Sequence, residues 1–363
     1  MLRVAFLLFL TLASSEWKVA VPDYPWSFPR DHWAHDGYRT EWWYFTGHLE
    51  AEDASRRFGY QFTFFRIGVL TDPPDLDSEW VSTSVIMGHA AVTDLVSGEH
   101  VFAEVFYREM PLLAAFNAYP EARIGWSRGP AGTGDLWTLD WNGNGFDIAA
   151  RDARQGMGFR LETKASKPVV FHGPNGFSRK SDESGAASQY YSFTRLVTSG
   201  EVEFEGERIR VDGESWMDKE LSSSHLAENQ VGWDWFSLQL DDGRELMLYL
   251  MREAGGPVDY AAGTLIDTEG EALHLRMDDF DVDVLEHWTS PETGARYPSR
   301  WRVRLPDVEL ELEVQSLAAD QENRSRLPGG VYYWEGAVVV SGTETGRGFV
   351  ELAGYGDGNR PPV

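Results

Sequence analysis

Hydrophobic and polar positions alternate with a period of two along most of the chain, and this pattern predicts β-strands. The alternating segments are rich in Phe, Tyr, Trp, Val and Thr, and turn sequences such as NGNG, DDG, SGE and TEG separate them. Convincing amphipathic helical patterns are few, and the short segment 111–122 is one of them. We therefore predict an all-β chain built from antiparallel strands, as a sandwich or a barrel.

The strand patterns occur twice in the same order. WWYFTGHL (42–49) matches WDWFSLQL (233–240), and a second strand that ends in arginine follows each copy. YYSFTRLVTSG (190–200) matches YYWEGAVVVSG (332–342), and one more strand follows each of these. An internal repeat of whole strands in one order indicates a duplicated structural unit.

The repeat predicts two similar antiparallel β-barrels in tandem. We place the first barrel domain at 16–228 and the second at 229–363. The first copy is longer, with insertions near 70–83 and 108–135. A closed barrel removes exposed sheet edges, and its interior is either packed solid or holds one small ligand.

Residues 1–15 have the features of a signal peptide. Arg3 supplies a positive start, Val4 to Ala13 form an apolar run, and Ala13 and Ser15 are small residues before a cleavage site. The apolar run is too short to span a bilayer comfortably, so we predict no transmembrane segment. The expected mature protein is secreted or periplasmic.

Charge and cysteine content narrow the functional classes. The formal net charge is −26, which disfavours binding to nucleic acid and to anionic lipid. The chain has no cysteine, which excludes disulfides, a thiol nucleophile, a cysteine-bound zinc and a cysteine-linked lipid anchor. Its stability must come from buried cores, and 42% hydrophobic residues allow for them.

The segment GESWMDKE (213–220) carries the strongest candidate chemistry. On a strand, Trp216, Asp218 and Glu220 share one face. Such a face is either a solvent-exposed outer surface or the part of an apolar pocket that carries its carboxyl groups. In a pocket, burial and a second carboxylate would raise the pKa of Asp218 and keep a proton available for general acid catalysis.

Other reaction types lack their sequence patterns. His32 and His35 have no HExxH or Asp-rich loop beside them, so we expect no metal site. No G-x-S-x-G elbow and no Rossmann or Walker glycine pattern is present, so we expect neither a serine hydrolase nor a bound cofactor. His48 and His89 are candidate proton donors or ligand contacts, or buried histidines satisfied by the backbone.

A glycine-rich loop, 171–180, is a candidate lid over a barrel mouth, or a solvated hairpin loop. It contains His172. In the strand that follows, Tyr191 and Arg195 share one face and Tyr190 lies on the other.

These motifs together resemble one known family. EWWYFTGHL, GHAAVTD, SQYYSFTRL, GESWMDKE, GWDWFSLQLDDGRELMLYLMR and GFVELAGY are similar to AttH-like proteins, relatives of the carotenoid 1,2-hydratases (hydroxyneurosporene synthases). The resemblance runs from about residue 20 to the C-terminus. It implies two lipocalin-like domains in an exported bacterial protein, a type often described as a predicted secreted hydrolase. The hydratase relatives add water to an isolated C=C of an acyclic isoprenoid without a cofactor.

The resemblance also implies a role for Asp218, because the hydratases use an aspartate as the general acid. Our own expectation for the residues around it is that Glu220 raises the pKa of Asp218 or positions water, and that His48 and His89 are candidate proton partners. Gln189 and the two tyrosines after it stand where the hydratases suggest a histidine. The residues expected to shape the ligand site are Trp42, Trp43, Tyr44, His172, Tyr190, Tyr191, Arg195, Trp216 and Trp233.

Two functions from different classes remain open. The first is a hydro-lyase-like enzyme acting on an isoprenoid or lipid-like small molecule. The second is a periplasmic carrier of a hydrophobic ligand, working beside an export or ABC transport system. The pocket would lie in the first barrel or between the two barrels, and one strand cannot place both Trp42 and Trp43 in one lumen.

Overall fold

The structure is a computed structural model that describes residues 16–78, 80–182, 186–327, 330–356 and 358–361. The predicted signal peptide, residues 1–15, lies outside the described residues and stays a prediction. Short 3-10 helices occur at Arg30–His32, Pro174–Gly176, Met277–Asp279 and Pro306–Val308. No helix in these ranges is both long and apolar enough to cross a membrane.

Two antiparallel sheets contain the strands of the described residues. The first sheet, of 13 strands, consists of β1 (Thr40–Ala51), β2 (Arg57–Gly68), β3 (Ser84–Asp94), β4 (His100–Arg108), β5 (Ala114–Phe116), β6 (Arg123–Arg128), β7 (Leu136–Trp141), β8 (Phe146–Asp152), β9 (Met157–Ala165), β10 (Val170–Phe171), β11 (Phe177–Arg179), β12 (Ala187–Phe204) and β13 (Glu207–Ser224). The second, of 10 strands, consists of β14 (Gln230–Leu240), β15 (Glu245–Glu253), β16 (Val258–Ile266), β17 (Ala272–Arg276), β18 (Asp281–Thr289), β19 (Arg296–Leu305), β20 (Leu310–Ser316), β21 (Glu322–Arg324), β22 (Tyr332–Gly342) and β23 (Gly346–Ala353).

The order of strands is the same in both sheets. The first runs β4-β3-β2-β1-β13-β12-β9-β8-β7, and the second runs β17-β16-β15-β14-β23-β22-β20-β19-β18. Each sheet curls into a barrel, which confirms the predicted all-β fold of two tandem barrels. The first sheet extends beyond β7 through β6 and β5, which lie in the predicted insertion at 108–135.

Each barrel has a packed interior rather than an open lumen at its core. The first core contains large aromatic side chains, among them Trp43, Phe62 and Trp137, all fully buried. The second is mainly aliphatic around Phe236 and Trp301. Burial of so much apolar surface stabilises each barrel without disulfides.

A third buried cluster lies between the barrels. It joins residues of β1, β12 and β13 to residues of β14, β15, β22 and β23. The central strands are therefore covered on both faces, one face by the core of their own barrel and the other by the opposite barrel. This double burial explains why both faces of WWYFTGHL carry aromatic residues.

A buried ion pair fixes the inner faces of β1 and β13 to each other. The Lys219 ammonium contacts the Glu41 carboxylate, and both side chains are fully buried. The ammonium also lies 3.2 Å from the ring centroid of Trp43. Burial opposes ionisation of Glu41, but Lys219 and His35 outweigh it and lower the pKa of Glu41 to about 2.

We predict that Glu41→Gln lowers the free energy of unfolding by about 3–5 kcal/mol, because the substitution removes the charged partner of both the buried Lys219 and His35. Urea unfolding followed by tryptophan fluorescence measures the change. Lys164→Met is the matched control, because its pair with Glu162 is exposed to solvent. Equal stability losses in the two variants would contradict a special role for the buried pair.

Candidate functional site

A cavity with a volume of about 550 Å³ lies between the two barrels. Residues of β1, β2, β3 and β13 line one side, and residues of β14, β15, β22 and β23 line the other. The size suits a small organic ligand. Its apolar lining comprises Trp42, Phe65, Ile67, Met87, Phe106, Trp233, Trp235, Met251, Leu327, Val331 and Ala353.

Asp218 is a buried carboxyl in the wall of this cavity, and hydrogen-bond donors hold both of its oxygens. Trp216 Nε1 donates to Oδ1 at 2.5 Å, and Ser192 Oγ donates to the same oxygen. The Tyr190 hydroxyl donates to Oδ2 at 2.7 Å. Burial raises the pKa of Asp218 to about 7 although the three donors oppose the shift.

His172 and Thr264 extend the hydrogen-bond network of Asp218 on the side away from the cavity. His172 Nε2 lies 2.7 Å from Ser192 Oγ, and His172 Nδ1 lies 2.9 Å from Thr264 Oγ1. Because Ser192 donates to Asp218, Nε2 of His172 is the donor to Ser192. Burial lowers the pKa of His172 well below its usual value, so the ring is neutral. The carboxyl therefore has a fixed orientation set by residues of both barrels.

A second polar group lies beside Asp218 on the same face of β13. The Glu220 carboxylate pairs with the Lys180 ammonium at 3.2 Å. The His225 ring packs against Trp42 in a tilted arrangement with a 4.3 Å centroid distance, and its two ring nitrogens are buried without hydrogen-bond partners. Burial and Lys180 lower the pKa of His225 well below its usual value. The neutral His225 ring therefore lines the cavity while both of its nitrogens stay buried.

The wall from the second barrel contributes two further acids, Glu335 and Glu351. The Tyr44 hydroxyl donates to Glu335 Oε1, and Trp233 Nε1 donates to Glu351 Oε2 at 3.2 Å. Burial and Glu351 raise the pKa of Glu335 well above its usual value. Burial also raises the pKa of Glu351 to about 7.

His89 also lines the cavity, where its Nδ1 hydrogen-bonds the Tyr333 hydroxyl at 2.7 Å. Burial lowers its pKa to about 3, so the imidazole is neutral at ordinary pH. His48 lies outside the cavity lining, in the interface between the barrels. Its Nε2 contacts the Gly348 carbonyl oxygen at 2.8 Å, and this backbone bond satisfies the buried ring.

The structure thus brings part of the sequence-predicted set together. Asp218, Glu220, His89, Trp42, Tyr44 and Trp233 line the cavity, and Tyr190, Trp216 and His172 support Asp218 from behind. The loop 171–180 packs against β12 through the short strands β10 and β11.

Three predicted ligand residues occupy other places. Trp43 and Tyr191 point into the core of the first barrel, because they lie on the opposite faces of their strands from the cavity. The Tyr191 hydroxyl bonds His32 Nδ1 there at 2.7 Å. Arg195 links the barrels away from the cavity, through Glu245 at 2.7 Å. None of these three side chains belongs to the lining of the cavity between the barrels.

Sequence reasoning missed Glu335 and Glu351, although the repeat contains a clue. Tyr44 and Asp218 are paired across β1 and β13, and Trp235 and Glu351 are paired across β14 and β23. Tyr44 and Trp235 occupy the same position in the two repeated strands. Glu351 is therefore the counterpart of Asp218 in the second barrel.

Within the described ranges, no group of three or more His, Asp or Glu side chains could hold a metal ion. The available ligand-binding chemistry is instead a set of carboxyl groups, neutral imidazoles and aromatic faces around one cavity.

The architecture is that of two tandem lipocalin-like barrels, and in this chain the cavity lies between them. The chain belongs to the AttH-like family, whose model matches residues 19–355. A solved AttH structure from Nitrosomonas europaea is 32% identical, covering 93% of this chain and 99% of that one, with a TM-score of 0.82.

More distant similarity concerns the fold. Kievitone hydratase from Nectria haematococca is 13% identical, covering 93% of this chain and 96% of its own, with a TM-score of 0.66. No curated protein matches the chain significantly. The shared fold confirms the lipocalin-like architecture expected from the sequence motifs.

Asp218 should make the stability of the protein fall as pH rises from about 4 to about 7. The folded state holds the Asp218 proton more tightly than the unfolded chain. The stabilisation from this proton is therefore complete at pH values below the pKa of Asp218 in the unfolded chain. It is lost as the pH rises through the pKa of Asp218 in the folded state. The slope from one such carboxyl is at most about 1.4 kcal/mol per pH unit. Urea unfolding at a series of pH values should give a shallower slope for Asp218→Asn.

Asp212→Asn is the control, since Asp212 lies exposed on the same strand. Parallel pH profiles of wild type and Asp218→Asn would contradict the assignment, even if the variant were less stable overall.

Proposed function

We propose that the protein binds a hydrophobic, unsaturated small molecule in the cavity between the barrels and transfers a proton to or from it. The reaction that fits is cofactor-free hydration or isomerisation of a carbon–carbon double bond. One observation carries the proposal: Asp218 is held by three donors in the wall of a mostly apolar cavity. A carboxyl with a pKa near 7 can exchange a proton at physiological pH.

Hydration of an alkene needs a proton on one carbon and a water oxygen on the other. Protonation leaves a cation, which aromatic faces stabilise through their electron-rich surfaces. Trp42, Trp233 and Trp235 supply such faces in the cavity wall. The surrounding carboxyl groups add negative electrostatic potential where the positive charge develops.

The cavity also favours a ligand with one polar group. Lys180, Glu220 and His225 form a polar end in a lining that is otherwise mostly apolar. This combination supports an isoprenoid or lipid-like alcohol or ketone as the class of ligand.

Membership of the AttH-like family supports the proposal, and a hydratase is known on the same scaffold. A scaffold does not fix a reaction, so the support for chemistry comes from the cavity itself. Export by the predicted signal peptide, a secreted or periplasmic location, the boundary at 228/229 and a link to an export or ABC transport system stay predictions.

Native mass spectrometry with organic extraction of co-purifying molecules tests this function on wild type, Asp218→Asn and Asp212→Asn. We expect Asp218→Asn to accumulate an unsaturated precursor, while wild type and the exposed control Asp212→Asn hold its hydrated or rearranged product. The reason is that the amide binds the same ligand but exchanges no proton.

The same apolar molecule, unchanged on all three proteins, would instead establish a carrier. Absence of any ligand from all three would contradict the binding of a small molecule in this cavity.

A further inference from the structure

Glu335 and Glu351 form a pair of carboxyl groups on the cavity wall opposite Asp218. They are directly paired across the antiparallel strands β22 and β23, and both side chains line the cavity. Side chains paired in this way lie on one face of the sheet within contact distance. Two carboxyl groups that share one buried site do not ionise together at ordinary pH, so one of them keeps its proton.

The hydrogen bonds of the two walls differ in a way that separates their roles. Asp218 accepts bonds at both oxygens, which is an arrangement suited to a carboxylate. Glu335 accepts one bond, from Tyr44 at Oε1, while its Oε2 is buried without a partner. A bare anionic oxygen would carry the full cost of desolvation, so the unpartnered Oε2 favours the protonated form of Glu335.

The repeat shows that this difference is specific to the second barrel. Ser192 pairs with Asp218 across β12 and β13, and Glu335 pairs with Glu351 at the same place in the second sheet. The first barrel thus has a hydroxyl donor beside its acid, and the second has another acid. The carboxyl groups of both barrels line one cavity, and those of the second barrel are directly paired across neighbouring strands.

We propose that Glu335, kept protonated beside Glu351, donates the proton to the ligand and that Asp218 on the opposite wall accepts the proton from water. This division of roles rests on the function proposed above and replaces the expectation that Asp218 is the acid. Glu351 is a positioning residue, because it acts through Glu335.

The step balances without a further reactant. The O–H bond at Glu335 Oε2 breaks, and the π electrons of the double bond form the new C–H bond. Water then forms the C–O bond at the cationic carbon and gives one proton to Asp218. The net change is addition of one water, and exchange with solvent returns the proton from Asp218 to Glu335.

Infrared difference spectroscopy of the protonated-carboxyl band tests the pair without any ligand. At about pH 8, wild type should retain a protonated carboxyl band that Glu335→Gln lacks. Glu311→Gln, at an exposed position on β20, should leave the band unchanged. In Glu351→Gln the band should titrate at lower pH, because the neighbouring carboxylate no longer opposes ionisation of Glu335. A wild type without the band at this pH would overturn the proposal.

Isothermal calorimetry with dimethylgeranylamine tests the donor role. This isoprenoid amine is cationic at neutral pH and mimics the protonated ligand, so its binding should drive the proton off Glu335. In buffers of different ionisation enthalpy at about pH 8, wild type should release about one proton per amine bound and Glu335→Gln none.

The outcomes separate the two proposals. Equal proton release by wild type and Glu335→Gln would overturn the donor role while leaving the function standing. Absence of amine binding by wild type that retains the infrared band would count against the proposed function, and the donor role would fail with it. If Glu335→Gln does not fold, Glu351→Gln decides the question through a shifted pH dependence of proton release.

Discussion

The structure depends on strands that are buried on both faces. β1 and β13 pack one face into the core of the first barrel and the other against the second barrel. A strand alternates its side chains, so each residue is committed to one environment by its position alone. Lys219 therefore enters the core with Glu41, while its neighbour Asp218 enters the cavity between the barrels. A shift of register by one residue would exchange these two environments.

Burial on the cavity side explains the chemistry of the site. A carboxyl removed from water resists ionisation unless donors or cations compensate it. Asp218 receives three donors and Glu220 a lysine, whereas Glu335 has one donor and an acidic neighbour. Carboxyl groups in one cavity thus have different local partners, and the pKa values of Asp218 and Glu335 are both raised by burial. The neutral histidines His89 and His172 follow from the same cause.

The fold was largely predictable from the sequence, and the site only in part. Period-two alternation predicts the strands, because strand formation follows from a local pattern. The internal repeat predicts two barrels, because it shows that the structural unit occurs twice. The position of Asp218 at the acid end of a pocket agrees with the face that it shares with Trp216. The contributions of Lys180, Glu335 and Glu351 depend on how the barrels dock, which no local pattern encodes. Trp43 and Tyr191 show the opposite error, because aromatic residues suit a core as well as a ligand site.

The duplication has a consequence for the geometry of any molecule held in the cavity. Two identical barrels facing each other would form a site with two equivalent ends, and a ligand could enter in either direction. Here Ser192 and Asp218 in one copy correspond to Glu335 and Glu351 in the other, so the ends are chemically distinct. Because the two copies have diverged, the cavity is asymmetric. A double bond lying across it would present one face to each wall, and its two carbons would become stereochemically distinguishable.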